Sequence, residues 1–182
     1  MYMAKIDNEV LKALRERRSC RCYKPEQITD EELQAVLEAG TYAPTGMGYQ
    51  DPWIVAVQEP AIVAKLVEMN ARVMGTTDNP YYGAPTIVLV FGSRLEKWRN
   101  SVCDGSLVLG NMMLAAHELG LASCWINRAK ETFQRPEWQE WLTSIGVDAG
   151  RYEGIGHLAL GYADGPLPPP LPRKPDRVVW VE

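Results

Sequence analysis

Pro85-Thr86-Ile87-Val88-Leu89-Val90-Phe91 is a continuous apolar run of strand length. A strand covered on both faces reads this way, because neither face needs a polar side chain, whereas a half-exposed strand alternates. The run therefore predicts a central strand buried on both sides. Three shorter segments supply neighbours: Trp53 to Val57, Ala122 to Ile126 and Gly156 to Leu160, each brief and apolar or β-branched.

Helical spacing fills the intervals. Asp7 is placed to cap a first helix that carries Val10, Leu11 and Leu14 and ends in Arg15 to Arg18. Thr29-Asp30-Glu31-Glu32 is a capping box, opening a helix with Leu33, Val36 and Leu37 that stops near Gly40. Pro60 suits a first helical position, and Ile62, Val63, Leu66 and Val67 line one face as far as Asn70. From Asp104 to Leu119 the pattern is apolar nearly all round, which puts that helix in a core or against a partner chain, with Gly120 closing it. A last helix follows Pro136, carries Trp138, Trp141 and Leu142, and ends at Gly146. Ala43 to Pro52 holds two glycines and two prolines and reads as a loop, where Gly46 and Gly48 let backbone approach a ligand closely. The tail Gly165 to Pro172 is too proline-rich for helix or central strand and predicts an extended arm, followed by Arg173-Lys174 and a final strand over Arg177 to Val181.

Composition limits the function. A net charge of -4 over 182 residues gives no general basic face for nucleic acid. No apolar run reaches the roughly 20 residues of a membrane span, and Met1 to Lys5 leads into helix pattern with no cleavable signal, so a cytoplasmic chain is expected. Cys20, Cys22, Cys103 and Cys124 form no CxxC pair, and neither His117 nor His157 stands at ligand spacing from a cysteine pair, so no metal is expected.

The chemistry concentrates in Arg17-Arg18-Ser19-Cys20-Arg21-Cys22-Tyr23. Guanidinium forks match phosphate oxygens and stay charged at any relevant pH, so the cluster suggests a phosphate-bearing small molecule; the alternative is a solvated basic helix end. Gly154-Ile155-Gly156-His157-Leu158-Ala159 spells G-x-G-x-x-A but opens no helix, so it is not a dinucleotide fingerprint.

In this order the landmarks resemble the nitroreductase family of flavin mononucleotide (FMN) enzymes over nearly the whole chain. Arg17-Arg18-Ser19-x-Arg21 is similar to the family's phosphate and ribityl clamp. Pro44-Thr45-Gly46 is similar to the loop that reaches the flavin ring from the other subunit, and Cys124-Trp125-Ile126 to the strand flanking the ring. Asn70 matches a position that hydrogen-bonds the ring edge, and Arg173 and Lys174 look like the basic residues of a swapped C-terminal arm that returns to the phosphate. Gly48 and the additional Asp51 depart from the pattern, and Gln50 is given no role. The resemblance implies an α+β fold with a mostly antiparallel sheet flanked by helices, residues 1–164 binding FMN and residues 165–182 swapping onto the partner of a homodimer. It further implies a ping-pong oxidoreductase taking hydride from NAD(P)H and reducing a nitroaromatic, quinone or enone, with no protein catalytic acid or base. The alternatives on the same fold are a flavin storage protein without turnover and a flavin-destructase or dehalogenase-like branch; from another class, a purely structural dimer.

Overall fold

The computed structural model describes residues 6–94 and 100–182, so the reading of Met1 to Lys5 lies outside the described residues. The chain is α+β, built on one four-stranded antiparallel sheet among those residues. Strands β1 (Trp53–Val57), β2 (Thr86–Ser93), β3 (Ala122–Ile126) and β4 (Tyr152–Gly161) lie in the order β1-β2-β4-β3.

β2 is the central strand its composition predicts. Ile87, Val88, Leu89, Val90 and Phe91 are all fully buried, and burial of each such side chain contributes about 1.5–3 kcal/mol. The pleat sends them to alternate faces. Ile87, Leu89 and Phe91 join Cys124 and Ile126 of β3, Leu66 of α3 (Pro60–Met74), Phe133 of α5 (Ala129–Phe133) and Trp138 of α6 (Pro136–Ser144). Val88 and Val90 join Leu158 and Leu160 of β4, Val36 of α2 (Asp30–Thr41) and Leu109 and Met112 of α4 (Ser101–Glu118) on the other face. The molecule is thus three layers, with helices covering both sides of the sheet. No described helix is long and apolar enough to cross a membrane.

Local chemistry explains most boundaries. At α2 the Thr29 side chain accepts from the Glu32 amide and the Glu32 carboxylate accepts from the Thr29 amide at 2.8 Å, completing the capping box. At α1 (Glu9–Glu16) the cap is Asn8 rather than Asp7: Asn8 Oδ1 accepts from the Leu11 amide at 2.9 Å, and Asp7 pairs with Arg15 instead. α4 begins three residues earlier than Asp104, and Gly120 at φ 74° closes it through its amide to the His117 carbonyl. β4 starts at Tyr152, four residues before the sequence pattern suggests, because Gly154 faces Phe91 next to an irregularity in the β2–β4 register.

The arm departs from the pattern in one respect. Arg177 to Val181 pairs with no strand among the described residues of its own chain, and Val178, Val179, Trp180 and Val181 are 82–88% exposed.

Candidate functional site

The basic stretch stands where α1 ends against the sheet edge. Ser19 bridges Ser123 of β3 in parallel, and the Cys20 amide donates to the Ser123 carbonyl at 3.0 Å. This pairing holds Arg17, Ser19 and Arg21 around Cys124. Burial pushes the Cys124 thiol up, and the Arg21 charge, the Ser19 hydroxyl and the Arg17 charge each draw it back. Arg17 Nη1 and Arg18 Nε are buried without a hydrogen-bond partner among the described residues. An unmet cationic donor is costly to bury, about 1–3 kcal/mol or more, which fits a site shaped for an anion. The two arginines differ in availability. Arg18 Nη1 turns back to donate to the Arg15 and Arg17 carbonyls, both at 2.7 Å, so much of that side chain caps α1. Beside the cluster, Ser19 to Cys22 and Asp164 to Pro168 line a cleft of about 210 Å³, so the arm leaves the body at this cluster.

The three β3 candidates divide between the faces. Cys124 and Ile126 point to the side of α3, α5 and α6, whereas Trp125 packs with Leu109 and Gly156 on the opposite side. A single face of a strand takes alternate residues, so Cys124 and Ile126 share a side that Trp125 does not.

Pro44, Thr45 and Gly46 are elsewhere. Thr45 belongs to a cleft of about 530 Å³ with Tyr49, Trp53 and Ile54, at the β1 edge of the sheet. The sheet order puts β1 and β3 at opposite edges, three strand spacings or about 14 Å apart. Within one chain the loop and the arginines thus stand at opposite edges of the sheet. The Gly46 amide donates to Asp104 Oδ1 at 3.0 Å, and Thr45 Oγ1 accepts from the Gln50 amide at 2.9 Å. Asp51 ties the loop to the end of β2, because its carboxylate accepts from the Ser93 amide at 3.0 Å and from Arg151 Nη2 at 3.2 Å. Arg173 and Lys174 are exposed on the arm, where Arg173 Nη2 donates to the Leu171 carbonyl at 2.7 Å.

Asn70 is fully buried on α3, at the centre of a polar network that composition does not reveal. Its Nδ2 donates to the Tyr81 hydroxyl at 3.1 Å and to the Asn127 carbonyl at 3.2 Å, and its Oδ1 accepts from Arg128 Nε at 2.7 Å. The Tyr81 hydroxyl in turn lies 2.5 Å from His157 Nδ1. These partners hold Asn70 inside the protein, with its carbonyl oxygen toward Arg128.

Burial, with the Arg128 charge second, pushes the His157 pKa down from 6.5 to about 3. The unfolded chain, titrating near 6.5, binds one more proton than the folded chain between those values. The stability held by neutral His157 is complete above about pH 6.5 and is lost as pH falls toward 3, with a slope approaching 1.4 kcal/mol per pH unit. In urea unfolding between pH 6.5 and 5, His157→Gln should show a flatter pH dependence than the parent; equal slopes would contradict the buried neutral assignment.

Comparison with known proteins agrees with this architecture. The Nitroreductase family model matches residues 14–162. An FMN-bound nitroreductase from Bacteroides fragilis superposes with a TM-score of 0.87 at 36% identity, covering 97% of this chain and 100% of that one. An FMN-bound nitroreductase from Desulfitobacterium hafniense gives 0.83 at 28% identity, covering 97% and 100%. The FMN reductase (NAD(P)H) of Bacillus subtilis is 34% identical over 137 residues, 64% of this chain, and that match spans 53% of the relative's length. A protein of Methanothermobacter thermautotrophicus is 30% identical over 122 residues, 64% of this chain and 60% of its own. The match through residues 14–162 takes in the Arg17–Arg21 cluster, the Pro44–Gly46 loop and every described strand of the sheet, and the chain belongs to the nitroreductase family.

Proposed function

We propose that the protein is an FMN-dependent oxidoreductase that takes hydride from NAD(P)H and passes it to a nitroaromatic, quinone or enone acceptor. The observation that carries this reading is the cluster of Arg17, Ser19 and Arg21 at the β3 edge, with Arg17 Nη1 buried and without a hydrogen-bond partner among the described residues. That donor set fits the phosphate of FMN, and Ile126, two residues along the same face, lies toward the ring end. FMN, when bound, supplies the hydride chemistry. The protein's part is to hold the phosphate with Arg17 and Arg21, to seat the ribityl chain by Ser19, and to leave one face of the ring open. A donor and an acceptor then use that face in turn, which suits a ping-pong order. Purified protein should carry flavin absorbance that bleaches anaerobically on addition of NADH or NADPH and returns with a nitroaromatic or quinone. Protein that binds flavin but never bleaches would support a storage role instead.

The two half-sites at opposite sheet edges favour a homodimer in which the Pro44–Gly46 loop of one copy meets the Arg17–Arg21 cluster of the other. Leu107 and Val102 on α4 and the apolar end of the arm are exposed, giving such a partner a surface to cover. A swapped arm would carry Arg173 and Lys174 toward the phosphate. Deleting residues 165–182 should therefore shift the mass in solution from dimer toward monomer and weaken FMN retention about tenfold or more, since a charged contact is lost. Light scattering and a flavin titration read both effects. An unchanged dimer with unchanged affinity would sink the swap.

A further inference from the structure

Arg128 is absent from the family resemblance, yet three independent features mark it. It sits at φ 75° between β3 and α5, a left-handed backbone that non-glycine residues adopt only where the surroundings enforce it, as they do at ligand sites. The enforcement is visible: the Asn127 carbonyl is held by Asn70 Nδ2, and Ala129 lies directly on Gly154 of β4. Second, the side chain is aimed. Arg128 Nε donates to Asn70 Oδ1 at 2.7 Å, Asn70 is fixed in turn by Tyr81, and the guanidinium is planar, so fixing Nε fixes the direction of the Nη pair. Those two Nη groups make no hydrogen bond among the described residues, and Arg128 is only half-buried.

The third feature is position. Cys124 and Ile126 share a face of β3, and Cys124 stands among Arg17, Ser19 and Arg21. Arg128 lies two residues past the end of β3, beyond the opposite end of that strand from the Ser19–Ser123 bridge. An extended ligand with its anionic end at the arginine cluster and its length along β3 brings its far end to Arg128. In FMN that far end is a ring with an oxygen-bearing edge.

We infer that Arg128 binds the ring end of the flavin, its Nη pair donating to the oxygen-bearing edge, with the buried Asn70 side chain setting its direction. This rests on the FMN reading above. Negative charge gathers on that edge on reduction, so a fixed cation there favours the reduced ligand over the oxidised one. It also explains why a fully buried asparagine is maintained at the expense of a tyrosine, a histidine and a strained turn.

The test separates the two ends of the ligand by using FMN and riboflavin, which lacks the phosphate. Arg128→Lys keeps a donor for Asn70 Oδ1 but loses the fork. Fluorescence titration of the flavin-free protein should show it binding both flavins about tenfold more weakly, with their affinity ratio and the Tm of the flavin-free protein unchanged. Arg21→Ala should weaken FMN alone. If Arg128→Lys proves unstable, Arg128→Gln, which also retains an N–H donor, replaces it with the same expectation. Unchanged affinity for both flavins, or a loss confined to FMN, would overturn the assignment to the ring. A parent protein that binds neither flavin would instead refute the FMN reading, and the assignment of Arg128 with it.

Discussion

Replacing both Arg17 and Arg21 by alanine is expected to raise the FMN dissociation constant by about a hundredfold or more while leaving riboflavin affinity nearly as it was. A hydrogen bond to a charged group contributes about 1.5–3 kcal/mol, so two lost guanidinium contacts exceed the roughly 2.8 kcal/mol that a hundredfold requires. The same substitution has an opposite effect on the flavin-free protein. Arg17 Nη1 is buried there without a partner among the described residues, and removing such a group relieves a desolvation cost of about 1–3 kcal/mol. The Tm of the flavin-free variant should therefore hold or rise as its FMN affinity falls. A purely structural role for Arg17 predicts the reverse pair of signs, a lower Tm and unchanged FMN binding. Titration with both flavins and a thermal melt without them decide between the two.

The second large effect lies away from the ligand. A Cβ added at Gly154 would stand 2.5 Å from both the carbonyl carbon and the oxygen of Ala129 and 2.8 Å from its Cβ. Two of these are backbone atoms, so no rotamer change relieves the overlap, and α5 must lift away from β4. Overpacking of a tight core costs about 1–3 kcal/mol and more where backbone must move, so Gly154→Ala should lose about 3 kcal/mol or more in urea unfolding. For a chain of this size that corresponds to a fall in Tm of about 10 °C. A loss below about 1 kcal/mol would contradict the packing of α5 on β4. Because Ala129 follows Arg128 directly, a folded Gly154→Ala protein should also bind riboflavin less well.

What the sequence makes legible follows from where the information is local. β2 could be read because a two-sided burial leaves a run of apolar residues, and α2 because its capping box is written in four consecutive residues. β1 and β3 have the ends their composition suggests. α5 could not be read: five residues are too short for a periodic pattern, and its start depends on a left-handed arginine that no local signal announces. The first half of β4 was hidden because Glu153 and Gly154 look like a turn unless the facing Phe91 is known.

The site divides in the same way. Arg17, Ser19 and Arg21 stand together in one short stretch of chain and needed only the Ser19–Ser123 bridge to bring them to Cys124. The fate of Asn70 and Trp125 depended on which way a helix and a strand face, and only packing settles that. Arg128 is silent in sequence because its meaning lies in a partner 58 residues away.

In the proposed assembly, two copies of this chain hold FMN between the Arg17–Arg21 cluster of one and the Pro44–Gly46 loop of the other. The most direct measurement is the mass and flavin content of the same purified sample, by light scattering with absorbance in the flavin bands after saturation with FMN. A dimer carrying two FMN is expected. A monomer that binds FMN fully, or a dimer that binds none, would contradict it.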